Sequence, residues 1–132
     1  MPDREAMVAA IETHCRTISA GDREGWLRIF ADDVLFEDPA NIDIYRGIEE
    51  VGTDFWNEIL NISPLRVWLE EEVIICGHEA IAIMAADVTL NGTPHRTAPL
   101  VDLFTFNEEG KVTAMRAFWK SDSWQSTRRL SR

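Results

Sequence analysis

The sequence has few basic residues, few cysteines and only one tyrosine. Its 132 residues include 13 Lys and Arg against 23 Asp and Glu, which gives a net charge of −10. Such an acidic chain is poorly suited to bind nucleic acid or anionic membranes. The two cysteines, Cys15 and Cys76, lack any spacing typical of a disulfide or a metal site. No His, Cys and Asp residues follow the spacing of metal ligands, so we expect neither a metal nor a cofactor.

Long apolar runs and several catalytic motifs are also missing. No stretch approaches the roughly 20 apolar residues of a membrane span, and the N-terminus lacks the apolar segment of a signal peptide. These absences favour a cytoplasmic protein. Glycine-rich phosphate loops and nucleophilic Ser or Cys motifs do not occur. The length predicts a single domain over residues 1–132, in which residues 123–132 form a mobile tail.

The apolar content is high and rich in large rings. Hydrophobic residues make up 45% of the chain, and five Trp and six Phe stand against the single Tyr. This amount of apolar surface can form a core. Large rings in this number also suggest an apolar cavity or interface.

The first half of the chain predicts three helices. Apolar residues at helical spacing indicate a helix over residues 4–20, which Gly21 ends and after which Asp22 caps the next helix. The expected elements after Asp22 are a second helix through Phe30, a strand over residues 34–38, a loop or small hairpin over 39–46, and a third helix from Gly47 to about Asn61.

The second half changes to the period of two that is typical of strands. Four long strands are predicted over residues 66–76, 79–90, 95–106 and 111–121. Asn91-Gly92 indicates a hairpin turn, and Pro99 indicates a bulge or an edge position. Helices followed by an antiparallel meander predict an α+β domain.

Two aspartates form the leading candidate site. Asp102 lies within the apolar strand of residues 100–106, where a carboxyl group taken out of water tends to stay protonated. Asp38 ends the segment Phe-Glu-Asp-Pro and can act as an ionised base. A neutral acid and a carboxylate around one apolar pocket would make a proton-transfer site.

Several segments resemble the ketosteroid isomerases of the nuclear-transport-factor-2-like, or SnoaL-like, superfamily. The resemblance spans about residues 6 to 122. Its motifs are Ala-Gly-Asp (20–22), Phe-Ala-Asp-Asp-Val-Leu-Phe-Glu-Asp-Pro (30–39) and the segment from Phe-Asn-Glu-Glu-Gly-Lys-Val to Met-Arg-Ala-Phe-Trp (106–119). The resemblance implies a cone in which a curved antiparallel sheet wraps around three N-terminal helices and encloses an apolar pocket. It also implies a homodimer.

The resemblance gives roles to three residues. Asp38 matches the general base, which moves a proton between two carbons beside a carbonyl group. Asp102 matches a protonated acid that donates a hydrogen bond to the dienolate oxygen, and Trp119 matches an indole that holds the base carboxylate. The ketosteroid isomerases are themselves the reference case for such a neutral acid, so this part of the argument is inherited from the family.

The chain departs from this family at its tyrosines. His14 occupies the position of the main oxyanion donor, and Phe30 and Phe55 occupy the positions of two supporting tyrosines. The only tyrosine, Tyr45, matches none of them. A neutral His14 can donate one N–H to an oxyanion, whereas a protonated His14 would pair with an ionised Asp102. The sequence leaves both arrangements open.

Strand and helix parity suggests which residues contact a substrate, although a filled core has the same pattern. These candidates are Phe55, Met84, Val88, Phe104, Met115 and Trp119. The expected function is a cofactor-independent isomerase acting on a flat apolar ketone such as a 3-oxo-Δ5 steroid, with Asp38 as base and Asp102 and His14 as oxyanion donors. Two alternatives use the same pocket: an enzyme of the polyketide-cyclase or dehydratase type, and a non-catalytic protein that binds steroids or similar lipophiles. Epoxide hydrolysis is less favoured, because no Arg-Asp-Arg constellation is evident.

Overall fold

The computed structural model describes residues 2–120, and the predicted mobile tail at 123–132 lies outside them. The helical elements are α1 (Arg4–Ala20), α2 (Arg23–Leu27), α3 (Gly47–Glu50), a π-helical turn (Val51–Phe55) and α4 (Trp56–Asn61). The strands are β1 (Phe30–Glu37), β2 (Ile44–Arg46), β3 (Arg66–Leu69), β4 (Ile74–Cys76), β5 (Glu79–Leu90), β6 (Thr93–Phe106) and β7 (Val112–Phe118).

One curved seven-stranded sheet holds the helices on its inner side. Its strand order is β2-β1-β7-β6-β5-β3, and β4 pairs separately with β5. The core lies between this sheet and the helices, because the inward residues of β5, β6 and β7 belong to one apolar cluster with those of α1 and of residues 47–61. The predicted α+β cone is therefore confirmed.

The helix caps follow the predicted residues. Asp22 caps α2, since its side chain accepts a hydrogen bond from the backbone N–H of Gly25 at 3.0 Å. Gly21 ends α1 with a φ of 69°, a left-handed conformation that glycine adopts without a steric penalty.

The structure corrects three predicted elements. The second helix stops at Leu27 and β1 already begins at Phe30, because the carbonyl of Ile29 accepts from the N–H of Val112 and draws this segment into the sheet. The sheet is mixed rather than antiparallel, since β1 runs parallel to β7. The predicted strand over 66–76 divides into β3 and β4, which pair with different parts of β5, and its three glutamates (70–72) are exposed between them.

The expected bulge at Pro99 is present in β6. Ala86 of β5 pairs with Thr97, and Met84 pairs with Leu100, so two residues of β6 lie opposite the single residue Ala85. The bulge moves the residues before it to the opposite face from the one that simple alternation predicts.

None of the helices within residues 2–120 has the length and apolar character needed to cross a membrane. The structure holds one chain, so the expected homodimer stays a prediction.

A partly buried ion pair between Glu37 and Arg116 braces the loop that follows β1. Glu37 accepts hydrogen bonds from the backbone N–H of Asn41 at 2.8 Å and from Nε of Arg116 at 2.9 Å. Arg116 also donates to the side-chain oxygen of Asn41 at 3.0 Å. Because Asp38 lies inside this braced segment, the ion pair fixes the position of its backbone.

We expect Arg116→Met to lower the free energy of unfolding by about 1–3 kcal/mol, because it leaves the Glu37 carboxylate buried without its charged partner. The Glu37 side chain is only 9% exposed. Adding Glu37→Gln to Arg116→Met should recover part of the loss. Arg96→Met is the matched control: it breaks an ion pair with Asp87 in which the arginine side chain is 62% exposed, and it should cost less than about 1 kcal/mol. Urea unfolding checks all three variants, and equal stability of Arg116→Met and the unmodified protein would contradict the brace.

Candidate active site

A narrow cavity opens between the helices and the inner face of the sheet. Its volume is about 60 Å³, and its walls are mainly apolar side chains from α1, α4, β3, β5 and β7. Four of the predicted substrate-contacting residues line it: Phe55, Val88, Met115 and Trp119. Its polar side chains are those of His14, Asp38, Thr97, Asp102 and Trp119. Both candidate aspartates therefore face the same apolar space.

Asp102 is buried in the wall of this cavity. Its side chain comes from β6 opposite Ala82 and Ala117, and the residue is only 1% exposed. Burial raises the pKa of this carboxyl group, and the neighbouring His14 opposes the shift only in part. Asp102 Oδ1 has no hydrogen-bond partner within residues 2–120. When the carboxyl group is protonated on Oδ1, it can donate a hydrogen bond into the cavity.

The hydrogen bond between Trp26 and His14 determines which tautomer of His14 is present. Trp26 Nε1 lies 2.9 Å from His14 Nδ1, and both side chains are buried. An indole N–H can only donate, so Nδ1 must accept and cannot carry a hydrogen. The remaining ring hydrogen is then on Nε2, which lies 3.4 Å from Asp102 Oδ2. This geometry favours a neutral His14 over the imidazolium, because protonation of Nδ1 would break the bond from Trp26.

Asp38 occupies a different environment at the end of β1. Trp119 Nε1 donates to Asp38 Oδ1 at 2.7 Å, in the arrangement that the resemblance implies. The residue is half-buried, so solvent still reaches it. The backbone N–H of Asp38 donates to the carbonyl of Asp43 at 3.0 Å, which closes the short loop after the strand. The indole N–H therefore orients the Asp38 carboxyl group at the wall of the cavity.

Two predicted contact residues, Met84 and Phe104, are not among the residues that line the cavity. Met84 and Phe104 are fully buried behind it. The Met84 sulfur lies 3.6 Å from the thiol of Cys15, and the Phe104 ring packs edge-on against His14 with a centroid distance of 5.6 Å. The alternation of side chains along the strands predicts the correct face for both residues but not their depth in the core. At that depth, side chains of α1 occupy the space beside them. Both residues support α1 and the His14 ring from behind.

Other potential reactive groups are not arranged for catalysis. Burial, together with the nearby carboxyl groups of Asp102 and Glu12, raises the pKa of the Cys15 thiol to about 12, so it stays protonated and is a poor nucleophile. Within residues 2–120, no three His, Cys, Asp or Glu side chains are grouped to hold a metal ion.

Sequence reasoning missed two residues that lie at the site, Trp26 and Thr97. Trp26 looked like an ordinary core residue of the second helix, since its partner His14 lies on another helix. Thr97 faces the cavity, where simple alternation from Asp102 would place it outside. It does so because the bulge at Ala98 and Pro99 reverses the parity. An expected bulge at Pro99, applied to the alternation, was the available signal for Thr97.

Curated proteins similar to this chain include an isomerase and an epoxide hydrolase, both at low identity. A steroid Delta-isomerase of Nocardioides simplex is 25% identical over 111 residues, which cover 84% of this chain and 87% of the relative. The epoxide hydrolase LasB of Streptomyces lasalocidi is 22% identical, with 89% of this chain and 49% of the relative covered. This chain thus spans nearly the whole isomerase but about half of the epoxide hydrolase.

Solved structures share the fold. A crystal structure of RV0760c from Mycobacterium tuberculosis has a TM-score of 0.79 and 28% identity, and covers 92% of this chain and 96% of its own. The same protein in complex with estradiol-17β-hemisuccinate has a TM-score of 0.74 and 29% identity, with 89% and 95% covered.

The SnoaL-like domain family matches residues 11–115. This segment contains α1 with His14, the strand that leads to Asp38, and Asp102. The match extends over most of the sequence, and the chain belongs to the SnoaL-like domain family.

Proposed function

We propose that this protein is a cofactor-independent isomerase that moves a proton from the α-carbon to the γ-carbon of an unsaturated ketone. The observation that carries the proposal is the contrast between two carboxyl groups on one apolar cavity. Asp102 is buried with an unpartnered oxygen, whereas Asp38 is half-buried and accepts an indole N–H. Pairs of titratable groups in such different environments are typical of acid and base assignments.

The proposed reaction has two proton transfers and needs no redox partner. The Asp38 carboxylate removes a proton from the carbon beside the carbonyl group, and the electron pair moves onto the carbonyl oxygen to give a dienolate. The Asp102 O–H donates a hydrogen bond to that oxygen. Asp38 then returns the proton to the γ-carbon, which restores the carbonyl and leaves a conjugated double bond.

His14 has a supporting role in this arrangement. Its one ring hydrogen, on Nε2, lies towards Asp102 Oδ2, at a distance of 3.4 Å that is long for a hydrogen bond. A small movement would bring the N–H to Asp102 or to the substrate oxygen. We therefore infer a chain of donors from Trp26 through His14 to Asp102 and the oxyanion, in place of the tyrosine donors of the resembling family.

Steroids are the substrate class that the comparisons favour. The steroid Delta-isomerase relative and the estradiol-derivative complex of the structural neighbour support a flat apolar ligand. The apolar walls of the cavity suit the same ligand class, but the cavity of about 60 Å³ is smaller than a steroid, so the proposed binding requires side chains of the wall to move apart.

Asp38→Asn should lower the turnover of a 3-oxo-Δ5 steroid by a factor of at least about 10², because it removes the base but keeps the shape of the side chain. Formation of the conjugated enone, followed by ultraviolet absorbance, measures the rate. Asp33→Asn is the matched control, since Asp33 is an exposed residue of the same strand. A purified protein with no rate above buffer would refute isomerisation, and unchanged turnover of Asp38→Asn would refute the assigned base.

Asp102 should make the protein less stable as pH rises. Burial raises the pKa of Asp102 in the folded state above its ordinary value of 3.8. At a pH between the pKa values of the two states, the folded state holds a proton that the unfolded state releases. The stabilisation is complete below pH 3.8 and is lost as pH rises towards the pKa of the folded state. Asp102→Asn should remove this contribution and be the more stable form above that range. Urea unfolding between pH 4 and 9 tests this, and a stability difference that does not vary with pH would contradict it.

Trp26→Phe should shift the ring hydrogen of His14 and slow turnover by about tenfold or less, because it keeps an aromatic ring but removes the donor to Nδ1. Nitrogen-15 NMR of the imidazole reports the tautomer. Trp56→Phe is the matched control, since Trp56 packs against Trp26 with a centroid distance of 5.4 Å. An unchanged His14 spectrum in Trp26→Phe would contradict the tautomer assignment.

A second candidate function is the opening of an epoxide with addition of water or an internal hydroxyl group. The same pair of acids favours it: Asp102 can protonate the epoxide oxygen while Asp38 takes the proton of the attacking oxygen. The epoxide hydrolase relative supports this chemistry. A panel of aryl and steroid epoxides, run beside the enone assay, separates the two reactions.

The third alternative, a non-catalytic binding protein, predicts a result that differs from that of both enzymes. It binds the steroid with no turnover in either assay, and Asp38→Asn leaves its affinity unchanged.

A further inference from the structure

Thr97 has a buried hydroxyl group without a partner on the wall of the cavity. The residue is only 7% exposed, and Thr97 Oγ1 has no hydrogen-bond partner within residues 2–120. A buried hydroxyl left unsatisfied destabilises a protein by about 1–3 kcal/mol. Buried polar groups in native proteins almost always have partners, so an exception calls for an explanation.

The surroundings of Thr97 offer no partner among the described side chains. Ala86 lies opposite on β5, and the neighbouring wall of the cavity consists of apolar residues such as Val88 and Leu100. Asp102 shares this property, because its Oδ1 is also buried and unpartnered on the same cavity. Two such atoms on one cavity point to a ligand that has two polar groups.

The register of the sheet gives the separation of these two residues. Thr97 pairs with Ala86 and Asp102 pairs with Ala82, so they lie four steps apart along β5 and on the same face. At about 3.3 Å per residue, their backbones are about 13 Å apart. A rigid ligand that reaches both side chains must carry oxygens at its two ends. A four-ring steroid skeleton with an oxygen on each terminal ring has this form.

We propose that Thr97 Oγ1 binds a second oxygen at the far end of the ligand whose first oxygen meets Asp102. The hydroxyl can donate to a carbonyl or accept from an alcohol, so it recognises an oxygen of either kind. This inference rests on the proposed binding mode at Asp102, and it makes Thr97 a specificity-determining residue that takes no part in proton transfer.

Binding of two phenolic steroids to Thr97→Val tests the proposal. Equilenin has a phenol at one end and a ketone at the other, whereas 17-deoxoequilenin lacks the ketone. Thr97→Val should weaken equilenin by about five- to tenfold, as for the loss of one hydrogen bond. It should leave 17-deoxoequilenin unchanged within about twofold, because that ligand has no group for the hydroxyl to bind. Fluorescence titration at one pH measures all dissociation constants.

Two further variants complete the design. Thr97→Ser keeps the hydroxyl and should retain the preference for equilenin. Thr105→Val, on the same strand, is the control, because its hydroxyl lies near Glu79 outside the cavity; it should alter neither ligand. Since the Thr97 hydroxyl has no internal partner, Thr97→Val should melt no lower than the unmodified protein.

Equal weakening of both ligands by Thr97→Val, or of neither, would overturn the proposal, as would failure of equilenin to bind the unmodified protein. The readout is binding and needs no turnover. A selective effect on equilenin without isomerase activity would therefore support the Thr97 contact and sink the proposed reaction. Activity without a selective effect would do the reverse.

Discussion

The hydrogen bond from Trp26 to His14 is the constraint on which the rest of the site depends. Because the indole N–H occupies Nδ1, the ring has one hydrogen, on Nε2, and it faces Asp102. This hydrogen bond disfavours a proton on Nδ1 and therefore an imidazolium beside Asp102. Burial dominates its ionisation, which raises the pKa of the carboxyl group. A single hydrogen bond between two helices thus favours the protonated acid that the proposed mechanism requires.

Phenylalanines take the place of the supporting tyrosines around this bond. Phe30 and Phe55, at the two matching positions, pack against the Trp26 ring with centroid distances of 4.8 and 5.7 Å. They hold the indole in place through contact area and offer no hydrogen bond of their own. The polar support of His14 therefore comes from one donor, in a shell that is otherwise apolar.

Local signals in the sequence were sufficient for much of the fold, and they failed where distant segments decide. α1, with Gly21 and Asp22 at its end, and the β5–β6 hairpin follow from periodicity and turn residues. The parallel pairing of β1 with β7 joins strands some eighty residues apart, and it drew Ile29 and Phe30 out of the predicted helix. Short apolar runs of this kind fit a helix or a strand equally well. The candidate site has the same limit. Motif and parity indicated Asp38 and Asp102, and the family resemblance indicated His14. Trp26 had no such local signal, because it contacts His14 across two helices.

The cavity wall carries two buried polar atoms that do not help the chain to fold. Asp102 Oδ1 and Thr97 Oγ1 both lack partners within residues 2–120, and a buried polar atom without a partner lowers the stability of the fold. The bulge at Ala98 and Pro99 is what turns Thr97 inward, so an irregularity of one strand adds the second of these atoms. Departures from local rules that have no compensation in the folded chain are expected at functional sites. Since both departures lie on one cavity, the missing compensation is best supplied by a ligand that hydrogen-bonds at both ends. In the proposed binding mode, the selectivity of the site lies in β6, separate from Asp38, which follows β1.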